Sequence, residues 1–284
     1  MTTRRNFIRT SSLALAGAIV LPSYTRAGKS KMKPGIQTYS VRNQLKEDFE
    51  GTMKYIADVG YKHIEAYGLG TDGMFLGTIT PAHYAKVIAD LGMEFIATHC
   101  SYTPAENAQK MIDAAKETGM EYMIVPAVPG NLRSSVDSWK QIAENFNKLG
   151  EMCNEVGLKF GYHNHAFEFE KIDGIIPQEL LIESTEAGLV DFEADLFWVT
   201  KGGYDPIELI KKYPGRVKCL HVKDATPELE GTTVGMGIID FESIFKVGKK
   251  DAVEYYFVED ERTDAPFDNI KADFEYISKQ KYMS

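Results

Sequence analysis

The chain is poor in cysteine, poor in positive charge and short of long apolar runs. Its 284 residues hold three cysteines, Cys100, Cys153 and Cys219, an odd and widely spaced set that makes a poor disulfide framework. They read instead as small buried side chains. Lysine and arginine number 32 against 41 acidic residues, a formal charge of −9. That balance excludes nucleic acid as a partner, because phosphate binding needs clustered cations. No apolar stretch reaches the ~20 residues that span a bilayer, so no stable membrane anchor is expected. No glycine-rich phosphate loop follows the first apolar run, which argues against a dinucleotide fold. No linker rich in Pro, Gly or Ser divides the chain.

The N-terminus reads as a leader. Thr3-Arg4-Arg5-Asn6-Phe7-Ile8-Arg9 is followed by an apolar stretch from Leu13 to Leu21 and by Thr25-Arg26-Ala27. Charged region, short apolar region and small-residue end are the plan of a signal peptide, here residues 1–27. The paired arginines ahead of Phe7 point to the twin-arginine route and so to an exported, periplasmic protein. Without 1–27 the chain loses four arginines and no acid, and the formal charge becomes −13.

Residues 28–284 repeat one pattern. Short apolar runs begin at Gly35, His63, Glu94, Tyr122, Leu158, Val190, Val217 and Tyr255, spaced by about one βα unit. Between them, helical periodicity runs through 49–60, 81–91, 105–118, 139–156, 177–187 and 206–212. Gly60, Gly92, Gly119, Gly157 and Gly188 stand where helices stop. Eight strand–helix alternations predict an α/β fold of one domain, a (β/α)₈ TIM barrel.

In such a barrel the active site lies at the C-terminal ends of the strands. Those ends carry Gln37 and Tyr39, Glu65, His99, His163 with His165 and Glu168, Asp195, His221 with Lys223, and Glu259. Parallel strands are normally apolar, so a ring of carboxylates and imidazoles is costly unless it binds something. Asp195, His221 and Glu259 end three successive strands, and two carboxylates with an imidazole suit one divalent ion: Mn²⁺, Mg²⁺, Co²⁺ or Zn²⁺. The strand before supplies a fourth ligand, His163 or the nearby Glu168. Glu65 pairs with Lys223 or meets substrate hydroxyls. His99 ends a strand as a substrate contact or a packing histidine, and Trp198 offers an apolar wall for a sugar ring.

Several segments together resemble the sugar phosphate isomerase/epimerase family of xylose isomerase-like TIM barrels. They are Gly35-Ile36-Gln37-Thr38-Tyr39-Ser40-Val41-Arg42, Gly60-Tyr61-Lys62-His63-Ile64-Glu65, Tyr162-His163-Asn164-His165, Asp195-Leu196-Phe197-Trp198-Val199, His221-Val222-Lys223-Asp224, Gly235-Met236-Gly237-Ile238-Ile239-Asp240-Phe241 and Val258-Glu259-Asp260. The resemblance implies a Glu, Asp, His, Glu metal set, carried here by Glu168, Asp195, His221 and Glu259. Many relatives hold the first glutamate in the strand itself, where this chain has His163. Glu168 is preferred because a third carboxylate neutralises a dication better, which leaves His163 and His165, with Glu259 and Lys223, for acid–base work.

Gln37, Tyr39, Glu65, His99 and Trp198 are then the expected substrate contacts. The resemblance implies a small sugar held through the ion, isomerised or epimerised by removal of a proton beside a polarised carbonyl. Export shifts the expected sugar toward an unphosphorylated one. The alternatives are a 3-keto-glycoside or inosose lyase or hydratase sharing that first step, and a non-catalytic periplasmic sugar-binding protein. A metal-dependent endonuclease on the same barrel is opposed by the acidic charge. A homo-oligomer is compatible with all of these.

Overall fold

Eight parallel strands close on themselves in the computed structural model, which describes residues 32–284. The leader, 1–27, lies outside the described residues. The strands, in chain order, are β1 (Gly35–Gln37), β2 (His63–Leu69), β3 (Glu94–Cys100), β4 (Tyr122–Val125), β5 (Lys159–His163), β6 (Val190–Asp195) and β7 (Val217–Val222). A short antiparallel ribbon follows, β8 (Asp224–Ala225) with β9 (Gly231–Thr232), before the last barrel strand β10 (Tyr255–Val258). Each strand pairs with its sequence neighbour in the barrel, and β1 pairs with β10 to close it. The expected strand order and the α/β barrel class are what the chain adopts. No described helix is long and apolar enough to cross a membrane.

Helices at Phe49–Val59, Pro81–Asp90, Gln109–Thr118, Val136–Glu155, Pro177–Ser184, Pro206–Lys212, Phe241–Lys250 and Pro266–Ile277 wrap the outside. Their starts follow local chemistry. The Asp48 carboxylate accepts from Gly51 N, and the Ser135 hydroxyl accepts from Ser138 N. Each satisfies an N–H that the helix itself leaves free. The Ser135 cap starts its helix three residues ahead of the expected Trp139. The expected helix 105–118 divides into a 3₁₀ turn, Ala105–Asn107, and Gln109–Thr118. At the far end Gly119 stops it in the left-handed region, φ 75°, which glycine adopts without strain.

The barrel interior is layered. Alternation along the strands points Ala97, Tyr122, Ile124, Cys219 and Phe257 into one apolar cluster. Two residues further along their strands, the same alternation brings His99, His221 and Glu259 to the C-terminal end. The three cysteines are free and buried.

Candidate metal centre and active site

Beyond the apolar layer, His163, Asp195, His221 and Glu259 each offer one ligand atom, and these atoms all lie within 4.8 Å of one another. All four side chains are buried. Each donor is aimed by a contact on its other side. His163 Nδ1 lies 3.2 Å from the carbonyl oxygen of Pro126. A carbonyl only accepts, so Nδ1 carries the proton and Nε2 keeps its lone pair. That Nε2 faces Asp195 Oδ2 at 3.4 Å and makes no hydrogen bond.

Asp195 ends β6 and also caps the helix Leu196–Lys201. Its Oδ1 accepts from Trp198 N at 2.8 Å, which turns Oδ2 back into the barrel, where it too lacks a hydrogen bond. His221 Nδ1 lies 3.3 Å from Glu259 Oε2 and 3.8 Å from Asp195 Oδ2. Two carboxylate oxygens and two imidazole nitrogens in a buried site, two of them without hydrogen bonds, form a donor set that fits a divalent ion.

Here the structure corrects the expected ligand set. Glu168 is buried, but one of its carboxylate oxygens accepts from the Tyr162 hydroxyl and the other from His165 N at 2.9 Å. Tyr162 and His163 are neighbours in β5 and point to opposite sides of the sheet. Glu168 follows Tyr162 outward, and His163 occupies the inward ligand position. With Nδ1 on Pro126 and Nε2 in the donor group, His163 is taken out of the expected acid–base set.

Lys223 stands beside the same group, 2.9 Å from Glu259 Oε2 and 3.3 Å from Asp195 Oδ2, and it also binds Glu261. Burial works against its charge, but Asp195, Glu259 and Glu261 together hold its pKa above the usual lysine value. It is a fixed cation. The expected Glu65–Lys223 pair does not form, because Glu65 binds His221 Nε2 at 2.6 Å instead. Glu65 is fully buried beneath that ring and does not line the pocket. Gln37 is likewise fully buried, its Oε1 accepting from Tyr39 N at 3.0 Å to shape the turn after β1.

A pocket of about 380 Å³ opens over the donor group, lined in part by Tyr39, Tyr67, His99, His165, Trp198 and Glu259. Trp198 and His165 lie with ring centroids 5.3 Å apart and give it an aromatic wall. Burial lowers His165 to about 3, so its imidazole is neutral at ordinary pH. His99 also borders the pocket, and its Nε2 lies 2.9 Å from Glu193 Oε2. Glu193 was not among the expected residues, though it stands two positions before Asp195 and faces the same way. Tyr67 and Glu261, also on the pocket wall, were not among the expected residues: Tyr67 stands two positions after Glu65 in β2, where the same alternation would have found it, and Glu261 lies past the end of β10.

Residues 53–280 match the family model described as Xylose isomerase-like TIM barrel. The chain belongs to that family. Among the xylose isomerase-like barrels, a crystal structure of a sugar phosphate isomerase/epimerase from Parabacteroides distasonis superposes with a TM-score of 0.81 at 28% identity, covering 91% of this chain and 97% of that one. The inosose dehydratase of Clostridium perfringens is 32% identical over 180 residues, 57% of this chain and 59% of the relative. The chain thus spans about three fifths of the length of the curated relatives it matches. A structure described as IolI protein with a binding zinc atom shares the fold at a TM-score of 0.68 and 15% identity, covering 86% of this chain and 96% of that one. The relatives make this a fold used by sugar-modifying enzymes.

Proposed function

We propose that this chain is a divalent-metal-dependent enzyme that removes a proton from the carbon beside a carbonyl of an unphosphorylated sugar or keto-sugar. One observation carries the reading. His163 Nε2 and Asp195 Oδ2, which make no hydrogen bond, converge with His221 Nδ1 and Glu259 Oε2 at the floor of a sugar-sized pocket. A bound divalent ion would polarise the substrate carbonyl and stabilise the negative charge that develops on its oxygen.

The chain's own groups supply the rest. Lys223 places a permanent positive charge at the same spot. His165 presents a neutral imidazole at the pocket wall, and Glu259, on the same wall, is a carboxylate held ionised: burial opposes its charge, but Lys223 and His221 hold its pKa well below the usual value. These two are the groups that take and return the proton. Trp198 and Tyr39 offer apolar faces for a sugar ring. The pocket lining contains Glu259 and Glu261 and no Lys or Arg, which favours a neutral sugar over a sugar phosphate. The twin-arginine leader read at 1–27, and the export it implies, favour the same choice.

Returning the proton to the other face or the neighbouring carbon gives an epimerase or isomerase, our principal reading. Loss of a β-substituent gives a lyase, which the likeness to inosose dehydratase favours as the second reading. The test is a proton NMR screen of keto-sugars and inososes in D₂O with metal-loaded protein. Deuterium entering a C–H without loss of a group supports epimerisation or isomerisation. Release of water or an aglycone supports elimination. Sugar binding with no exchange and no product would overturn the enzymatic reading in favour of a binding protein.

A further inference from the structure

Beneath the donor group lies a second set of buried polar side chains that the proposed chemistry leaves without a task. Glu65 on β2 and Glu193 on β6 approach one atom, His221 Nε2, at 2.6 and 3.1 Å. Both carboxylates are buried, and each has one oxygen, Oε1, with no hydrogen bond. Glu193 also holds His99 Nε2 at 2.9 Å, and the His99 ring stacks on that of His221 with centroids 5.2 Å apart and planes 20° apart. Two carboxylates deep in a barrel are expensive unless something requires them there.

Their common object is the orientation of His221. Glu193 Oε2 faces His221 Nε2 and His99 Nε2 together and accepts from both, so the proton on this edge of the His221 ring sits on Nε2. The ring is thereby turned with Nδ1 toward Asp195 Oδ2 and Glu259 Oε2. We propose that Glu65 and Glu193 are positioning residues of the metal centre, which fix the rotation and tautomer of His221 so that Nδ1 presents its lone pair to a divalent ion. Stacking of His99 braces the same ring from the side. This inference rests on the metal reading above and concerns how the ion is held, not which sugar is used. A metal-ligating histidine held by a carboxylate on its other nitrogen is the arrangement expected on general grounds, and loss of such a partner weakens metal binding about 10–100-fold.

The experiment is Co²⁺ titration of metal-free protein, followed by calorimetry and by the visible absorption of the bound ion, for wild type, Glu193→Gln and Glu65→Gln. Circular dichroism and the thermal midpoint of the metal-free forms run alongside, and two variants are used so that one misfolding does not end the test. The expected result is one Co²⁺ per wild-type chain, and affinity lowered about 10–100-fold with an altered absorption band in at least one variant. The metal-free midpoint of Glu65→Gln should not fall, because glutamine keeps the shape and relieves the crowding of carboxylates, whereas Glu193→Gln gives up the charge that faces His221 and should melt lower. Affinity within twofold of wild type in every folded variant would overturn the inference and leave the metal reading intact. So would two Co²⁺ per wild-type chain with one lost in the variants, because Glu65 and Glu193 would then be ligands themselves. Wild-type protein that takes up no Co²⁺ would overturn both.

Discussion

At the scale of single residues, the fourth position of the donor group turns on what His163 and Glu168 do with their other contacts. His163→Ala removes a lone pair aimed at the site. Its affinity for Co²⁺ or Mn²⁺, followed by calorimetry, should fall by at least the about 10–100-fold that loss of a mere supporting partner brings. Glu168→Gln should leave metal affinity unchanged. Its amide oxygen keeps the bond from His165 N while its NH₂ turns to the Tyr162 hydroxyl, which must then accept instead of donate, so the stability lost in urea unfolding should be no more than about 1 kcal/mol. The sequence made these two residues candidates but ranked them by charge balance alone. The alternation of β5 already assigns His163 inward and Tyr162 outward, and that geometric signal outranks the count of carboxylates. Glu193 was legible by the same rule from Asp195. Gln37 was not, because only the folded turn after β1 shows its side chain spent on Tyr39 N.

At the scale of elements, strands are placed by their apolar runs, and all eight barrel strands were visible in the chain. The six-residue helices Arg42–Glu47 and Leu196–Lys201 leave too little periodicity to read. Phe241–Lys250 did carry a signal, with buried Phe241, Ile244, Phe245 and Gly248 spaced on one face. Packing between elements, by contrast, is not written in any local pattern. Gly35 illustrates this: a Cβ there would meet the backbone oxygen of Tyr256 at 2.4 Å, across the β1–β10 seam. Gly35→Ala should destabilise the protein by roughly 1–3 kcal/mol through overpacking, seen as a lower urea midpoint.

The helix Pro266–Ile277 carries a buried acid, Asp273, whose Oδ1 accepts from Val234 N at 2.8 Å. Burial, with the nearby Asp260 charge, raises its pKa to about 7. The folded state therefore keeps a proton that the unfolded chain releases near pH 4. Between about pH 4 and 7 this group's contribution to stability falls as pH rises. Asp273→Asn, which retains the acceptor without the charge, should flatten that dependence and should be more stable than wild type at pH 8. Urea melts at pH 5 and pH 8 measure the difference.

At the scale of the whole molecule, the barrel concentrates four buried carboxylates, Glu65, Glu193, Asp195 and Glu259, around His99, His163, His221 and Lys223. Anything that binds only the folded form stabilises it by mass action. Metal at a hundredfold over its dissociation constant is worth about 2.7 kcal/mol, which raises the melting temperature by roughly 5–10 °C for a domain of this size. Differential scanning calorimetry with and without EDTA should show that shift, and the His163→Ala protein should show little of it.

Closure of the barrel by pairing of β1 with β10 sets an order of events during synthesis. His163, Asp195 and His221 leave the ribosome well before Glu259, and the cylinder cannot shut until Tyr255–Val258 is available to dock against both β7 and β1. A nascent chain therefore holds an incomplete donor group, and under the proposed metal reading tight ion uptake would be a property only of the finished protein. Ion uptake would then report that the last strand has docked, and clipping the chain ahead of Tyr255 removes the seam and the Glu259 carboxylate of the donor group in one cut.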